Sequence, residues 1–186
     1  MKASFFKLTF FFLVIPLFSY SQIKLTPAEK FFDFLNNYQK DSLDNLLTED
    51  FKLLRTYSDF RNNKTTFLDD YISYSKAYNG KYEIVRVISN TEPQQFLVVD
   101  RSDYFKYLKI ENPKWIISVF SDKNKVKQVN IDSTNSYSRY LKDMRVKNSD
   151  FDNWLEQKHP ELTLDAIIKA DGLLIKLLKE YYEENK

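Results

Sequence analysis

Hydrophobic positions in this chain recur with a helical period towards both ends and a strand-like period in the middle. Thr26-Pro27-Ala28-Glu29 marks a helix start: Thr26 supplies the cap, Pro27 fits the first helical position, and Glu29 stands where a capping-box acid belongs. Phe31, Phe32, Leu35 and Tyr38 follow at helical spacing. A second short helix is expected from Ser42, with Leu43, Leu46 and Leu47 along one side. Phe51 to Tyr57 reads as a strand. Thr65 or Thr66 is the expected cap of a third helix carrying Phe67, Tyr71, Tyr74 and Tyr78, and Asn79-Gly80 ends it, because glycine readily takes the left-handed cap.

From Lys81 the period changes. Tyr82 to Ser89, Gln95 to Tyr104, Lys114 to Ser121 and Val126 to Asp132 are β-branched and aromatic runs separated by turn residues, the pattern of an antiparallel meander. Asn90-Thr91-Glu92-Pro93 and Asp122-Lys123-Asn124-Lys125 are the hairpin connections. Ile84 to Ile88 and Trp115 to Phe120 are apolar on both alternating faces, so the sheet is expected to be covered on both sides. Beyond the strands the helical period returns. Tyr137, Tyr140, Leu141 and Met144 form one stripe, Ser149 is the expected cap of a helix with Phe151, Trp154 and Leu155, and Leu173 to Tyr182 forms an apolar last helix. These helices are expected to pack either on the outer face of their own sheet or against a second copy. A third arrangement, attachment of the last helix to a membrane, is disfavoured because Lys176, Lys179, Glu180, Glu183 and Glu184 mix signs where surface-seeking helices are usually rich in basic residues.

The amino terminus carries a different signal. Lys2 and Lys7 stand without an acid before the apolar stretch Leu8 to Phe18, and Ser19-Tyr20-Ser21 offers small residues where a signal peptidase reads. A bilayer needs about 20 apolar residues, more than this stretch supplies. Residues 1–21 are therefore expected to be a signal peptide cleaved after Ser21, giving a secreted or periplasmic product with no stable membrane anchor. Residues 22–132 form the expected α+β domain and 133–186 a helical extension. The formal net charge of +2 falls to balance when Lys2 and Lys7 leave, and basic residues alternate with acidic ones, which argues against a nucleic-acid partner. The chain of 186 residues has no cysteine, so its core must hold without disulfides. The 16 Phe, 13 Tyr and 2 Trp supply the material for one.

The element order carries a resemblance. Helices followed by a long antiparallel sheet, with an Asn36 to Phe51 segment that includes Leu43-Asp44 and Thr48-Glu49-Asp50-Phe51, resemble the nuclear transport factor two-like superfamily over residues 26–132. That superfamily includes ketosteroid isomerases, polyketide cyclases and limonene epoxide hydrolase. The resemblance implies an α+β cone: a curved antiparallel sheet wrapped around amino-terminal helices, with an apolar pocket at one end, and often a homodimer through the sheet. The helical extension stands outside the match. The positions matching the isomerase catalytic groups fall near Phe31, Leu54 or Arg55, and Ile116, none of which can serve as the required acid or base. Asp100-Arg101-Ser102-Asp103 has the residue types of an epoxide hydrolase, but Asp100 and Arg101 as strand neighbours point to opposite faces.

Other chemistries fail on inventory. His159 is the single histidine, so no nitrogen and sulfur metal site is expected, and His159-Pro160 reads as a helix end. Asp69-Asp70 is expected to face solvent on the third helix. The two glycines leave no phosphate-binding loop or dinucleotide fingerprint, and no cofactor is expected. What remains is a pocket. Phe96, Val98, Asp100, Ser102 and Tyr104 on one strand, and Lys114, Ile116, Ser118 and Phe120 on another, would line the cone, with Tyr38, Tyr57, Tyr71 and Tyr74 closing its mouth. A plain packed core with Asp100 at the surface is the other reading of the same stripes. Two functions follow: a non-catalytic exported module that binds a small apolar or amphipathic ligand or another protein, or a small-molecule isomerase or hydrolase using Asp100. An Asp100 at the pocket floor with a raised pKa is the mark of the second.

Overall fold

The computed structural model describes residues 25–163, 166–167, 170 and 172–186; the expected signal peptide, residues 1–21, lies outside them. Helices α1 (Pro27–Asn36) and α2 (Lys40–Leu46) lead into strands β1 (Leu47–Arg55) and β2 (Arg61–Asn63). A helical stretch follows, with α3 (Lys64–Thr66), a π-helical turn (Phe67–Tyr71) and α4 (Ile72–Ala77) in succession. Strands β3 (Lys81–Ser89), β4 (Gln94–Arg101), β5 (Lys114–Asp122) and β6 (Lys125–Ser133) come next, with α5 (Asp103–Tyr107) between β4 and β5. Helices α6 (Tyr137–Lys158) and α7 (Leu173–Glu184) complete the described elements.

The six strands form one curved sheet in the order β2-β1-β6-β5-β4-β3, with α1, α2 and the helical stretch after β2 packed into its core. Strands β3 to β6 are the antiparallel meander that the turn residues predict. β1 returns beside β6 in parallel, which makes the sheet mixed. The long intervening segment supplies the crossover that a parallel pair requires.

Alternation decides what fills the cone. Phe51 and Leu53 of β1, Phe96 and Val98 of β4, Trp115, Ile117 and Val119 of β5, and Val129 and Ile131 of β6 are buried against Phe31, Phe32 and Leu35 of α1. Phe32 meets Phe96 edge-on at 5.1 Å, and Phe31 stacks on Phe67 at 5.9 Å. Each buried side chain of this size contributes roughly 1.5–3 kcal/mol relative to exposure. The Thr26 capping box is present in full, with the Glu29 amide donating to Thr26 Oγ1 and the Thr26 amide to Glu29 Oε2. Asn36 fastens α1 to the start of β3: its Nδ2 donates to the Tyr82 carbonyl and its Oδ1 accepts from the Tyr82 amide, both at 2.8 Å.

Several expectations change. On β5 the odd-numbered residues face inward, because Ile117 pairs with Phe96 and Trp115 with Val98. Ser118 therefore lies on the opposite face, buried, and accepts from Gln95 Nε2 at 3.0 Å. Strand β4 stops at Arg101, since Ser102 takes the Phe105 amide on its Oγ and caps α5. Ser102 and Tyr104 thus leave the strand. Asn63 rather than Thr65 or Thr66 caps the third helix. At its end the left-handed residue is Asn79, with φ 51°, and the Gly80 amide reaches back to the Ser75 carbonyl. A Cβ on Gly80 would stand 3.2 Å from that carbonyl oxygen, so Gly80 serves close approach rather than a positive φ.

The outer cover predicted for the sheet is incomplete. Ile84, Val85, Val87 and Ile88 are exposed on β3, an edge strand whose pairing with β4 slips twice. The carboxy-terminal helices go elsewhere. Residues 137–158 form one helix, with Ser149 in its interior. Phe151, Trp154 and Leu155 of α6 and Leu177 and Leu178 of α7 build a second core on Phe105, Leu108 and Ile110, in and just after α5. Tyr140 packs against both cores. His159 caps the end of α6, with its ring 5.4 Å from Trp154 and its Nε2 3.2 Å from Glu180.

Candidate functional site

The inward stripes change character at one end of the cone. On β1 the sequence of inward residues runs Phe51, Leu53, Arg55, and on β4 it runs Phe96, Val98, Asp100. Both strands therefore finish a hydrophobic face with a charged residue. A cavity of about 710 Å³ opens there, in the size range of small-molecule sites. Arg55, Asp100 and Tyr82 reach it from the sheet, while Phe60 and Asn62 come from the β2 edge. Asp70, Tyr71, Tyr74 and Tyr78 line it from the π-helical turn and the segment after it. Ser102, Tyr104 and Phe105 close one side around α5, and Tyr140 and Leu174 are contributed by the helical extension.

Asp100 is held from three directions. Its amide donates to the Pro113 carbonyl at 2.9 Å, it pairs across the sheet with Tyr82, and Trp115 Nε1 donates to its Oδ2 at 3.3 Å, a long bond. Burial disfavours the carboxylate and outweighs the Trp115 hydrogen bond and the attraction of Arg55, pushing Asp100 up to about 7. A carboxyl that is half-ionised near neutral pH can take up or release a proton. Arg55, the corresponding last inward residue of β1, has its guanidinium over the Phe60 ring at 4.4 Å. No carboxylate among the described residues is within ion-pair distance of Arg55.

The walls are phenolic. Tyr71 and Tyr82 join hydroxyls at 2.7 Å, and burial raises both pKa values, so both remain neutral. Burial, with a contribution from Asp100, pushes Tyr140 up to about 12. The π-helical turn places Tyr71 over Phe67, with ring centroids 5.3 Å apart, so that it faces the cavity. Such insertions re-aim side chains at the cost of regular helix geometry.

Of the residues proposed from sequence, Asp100, Ser102, Tyr104, Tyr71 and Tyr74 line this cavity. Tyr74 stands at the rim, 55% exposed. Tyr38, Tyr57 and Ser118 lie outside it. The Tyr38 hydroxyl donates to the Gly80 carbonyl at 3.0 Å, which ties the α1–α2 connection to the start of β3. Tyr57 stacks on Trp115 at 5.2 Å and so backs the indole that holds Asp100. Arg101 points away from Asp100 and pairs with Glu83, as strand alternation requires. Asp69 meets Lys40 at the surface, whereas Asp70 reaches the cavity edge. Arg55, Asn62 and Tyr82 are additions to the site. Arg55 had a signal in the sequence, an arginine two residues beyond Leu53 on a buried face.

Among the described residues no group of three His, Cys, Asp or Glu side chains could hold a metal ion, and no helix is long and apolar enough to cross a membrane.

No family model matches the chain, and no curated protein does. Solved structures similar to it include a candidate ketosteroid isomerase of Kribbella flavida, 17% identical over 60% of this chain and 77% of that one, with a TM-score of 0.47. A candidate polyketide cyclase of Sinorhizobium meliloti is 11% identical over 56% of this chain and 92% of its own, with a TM-score of 0.48. An epoxide hydrolase of M. tuberculosis is 11% identical over 63% and 89%, with a TM-score of 0.47. A nuclear transport factor two-like protein of unknown function from Cytophaga hutchinsonii is 10% identical over 59% of this chain and 91% of that one, with a TM-score of 0.44.

Proposed function

We propose that this chain is an exported protein that binds a small amphipathic molecule at the open end of its cone, with Asp100 as the group that exchanges a proton with that molecule. The observation that carries the reading is the placement of Asp100: inward, at the wall of an open cavity, with one long side-chain hydrogen bond and a pKa near neutrality. Tyrosine rings supply apolar area, and their hydroxyls supply donors and acceptors that orient a ligand. Export is supported by the sequence of residues 1–21 alone.

Binding and catalysis separate in one experiment. The neutral fluorophore N-phenyl-1-naphthylamine is expected to bind with 1:1 stoichiometry, and a bulky Ser75→Trp substitution, at a residue that also lines the cavity, is expected to weaken it at least tenfold. Absence of binding to the wild type sinks the pocket reading. Acid–base action is tested with 2-tetralone in deuterated water. An ionised Asp100 would remove a proton from the carbon beside the carbonyl, leaving an enolate that takes a deuteron back. The wild type is expected to accelerate this exchange and Asp100→Asn to abolish it while retaining fluorophore binding. Equal rates with and without wild-type protein leave the non-catalytic binding module as the function.

A further inference from the structure

The β1–β2 side of the cavity holds two polar atoms with no partner. Arg55 Nε and Asn62 Oδ1 are both buried, and neither makes a hydrogen bond. They belong to one site. Leu53 pairs with Asn62 across β1 and β2, so Arg55, two residues further on, stands diagonal to Asn62 on the same face of the sheet. Both residues line the cavity, and Phe60 between them carries the guanidinium on its ring.

The guanidinium is permanently charged, with five N–H donors and no acceptor. Asp100 is the carboxyl that acts on it electrostatically, but Asp100 is bonded to Trp115 and outside ion-pair distance. Its other close groups, Tyr71, Tyr82 and Tyr57, are phenols held neutral by burial; the Tyr71 hydroxyl is near enough to hydrogen-bond the guanidinium but brings no charge, and Nε is left without a partner. An arginine turned inward from a hydrophobic stripe, without a carboxylate of its own, is costly unless something neutralises it. The Nε edge of a guanidinium matches a planar oxyanion with two parallel hydrogen bonds. The neighbouring Asn62 side chain carries an NH2 group as well as the unpartnered oxygen, and turning the amide over would let it donate a further hydrogen bond to that oxyanion.

We infer that the ligand is an organic acid: an aromatic or alicyclic body between the tyrosine walls, with a carboxylate held by Arg55 and Asn62. This rests on the reading that the cavity binds a small molecule and adds the charge of that molecule. The carboxylate end would lie on the β1–β2 side and the body towards Tyr71, Tyr82 and Tyr140, which puts the remaining ring atoms in front of Asp100.

Calorimetric titration with three matched probes tests it: 1-naphthaleneacetate, its methyl ester, and 2-(1-naphthyl)ethylamine. The wild type is expected to bind the acetate at least tenfold more tightly than the ester and to bind the amine most weakly. Arg55→Gln is expected to abolish the preference for the acetate while ester affinity stays within about threefold. Asn62→Asp, on a short edge strand, keeps the side-chain volume and places a carboxylate beside the guanidinium. It is expected to abolish the same preference even if Arg55→Gln does not fold. An ester bound as tightly as the acetate by the wild type, or a preference that survives both substitutions, overturns the inference and leaves the pocket reading standing. Failure of all three probes to bind would count against the pocket itself.

Discussion

The two ends of the cone are built from the same strands and differ in what those strands turn inward. At the closed end Phe51 and Leu53, Phe96 and Val98, and Ile117 and Val119 meet the helix residues Phe31, Phe32 and Leu35 in continuous contact. At the open end the next inward positions are Arg55 and Asp100, and the space between them is a cavity. Filling a strand's inward stripe with apolar side chains closes the cone, because dispersion contacts and water exclusion favour collapse. A charged residue at the stripe's last position resists that collapse, since neither group can be buried dry without a partner. The pocket is thus a consequence of where the alternation is broken, and the positions that break it are the ones that face a ligand.

This contrast gives a graded set of tests. The largest effect should come from the closed end. Phe67→Ala removes the ring that stacks on Phe31 and Tyr71, and should cost about 3–5 kcal/mol in urea unfolding at equilibrium. A loss below about 1 kcal/mol would mean that the closed end is not packed as described. Next is the fastening between the cone's helices and its edge strand. Asn36→Ala leaves the Tyr82 amide and carbonyl without their partner, for an expected loss of about 1–3 kcal/mol. Smaller again is Tyr38→Phe, which removes one hydroxyl bond to Gly80 and should cost about 0.5–1.5 kcal/mol with no change in fluorophore affinity. A tenfold loss of affinity in that variant would return Tyr38 to the binding site. At the bottom of the scale, Lys40→Ala breaks an exposed pair with Asp69 and should leave the unfolding midpoint unchanged.

Much of the scaffold was legible because its causes are local. The Thr26 cap, the apolar spacing of α1 and the turn residues between strands each act within a few residues, and each is present in the structure. What depended on distant partners was harder to read. The face of β5 that points inward is set by pairing with β4, so nothing local to Ser118 distinguished it from Ile117. Ser102 has the chemistry of a helix cap, but the run of apolar and aromatic residues around it also fits a strand, and α5 gains its stability from the extension packed on it. Ser149 offered a cap that the helix did not need, because the stripe through Phe151 and Trp154 continues across it. The exposed apolar residues of β3 run against the expectation of a second covering layer, since the extension is drawn to α5 instead.

The site was half legible for the same reason. Asp100 stands out in sequence as a carboxylate at an inward position after Phe96 and Val98, and it lines the cavity. Arg55 has the same logic on β1, although it falls at a position where the resemblance calls for a general base, a role its permanent charge forbids. Asn62 could not be found without the β1–β2 register, which brings it diagonal to Arg55. The phenols of Tyr71 and Tyr82 meet because a π-helical turn re-aims the first and Asn36 fixes the second, and neither event has a clear sequence mark.

The central claim is that the open end of the cone holds a buried carboxyl poised near neutrality, and one measurement addresses it directly. Asp100 has its folded pKa raised to about 7 from an ordinary value near 3.8. Between those values the folded state holds a proton that the unfolded state has lost, so the protonation of Asp100 makes stability fall as pH rises through this window and level off above it. Carbon-13 NMR of the Asp carboxyls, with Asp100→Asn to assign the resonance, should show Asp100 titrating near pH 7. The same variant should melt at higher temperature than the wild type at pH 8 and lose that advantage towards pH 4. An Asp100 resonance that titrates near pH 4, with wild type and variant melting in parallel across the range, would contradict the account.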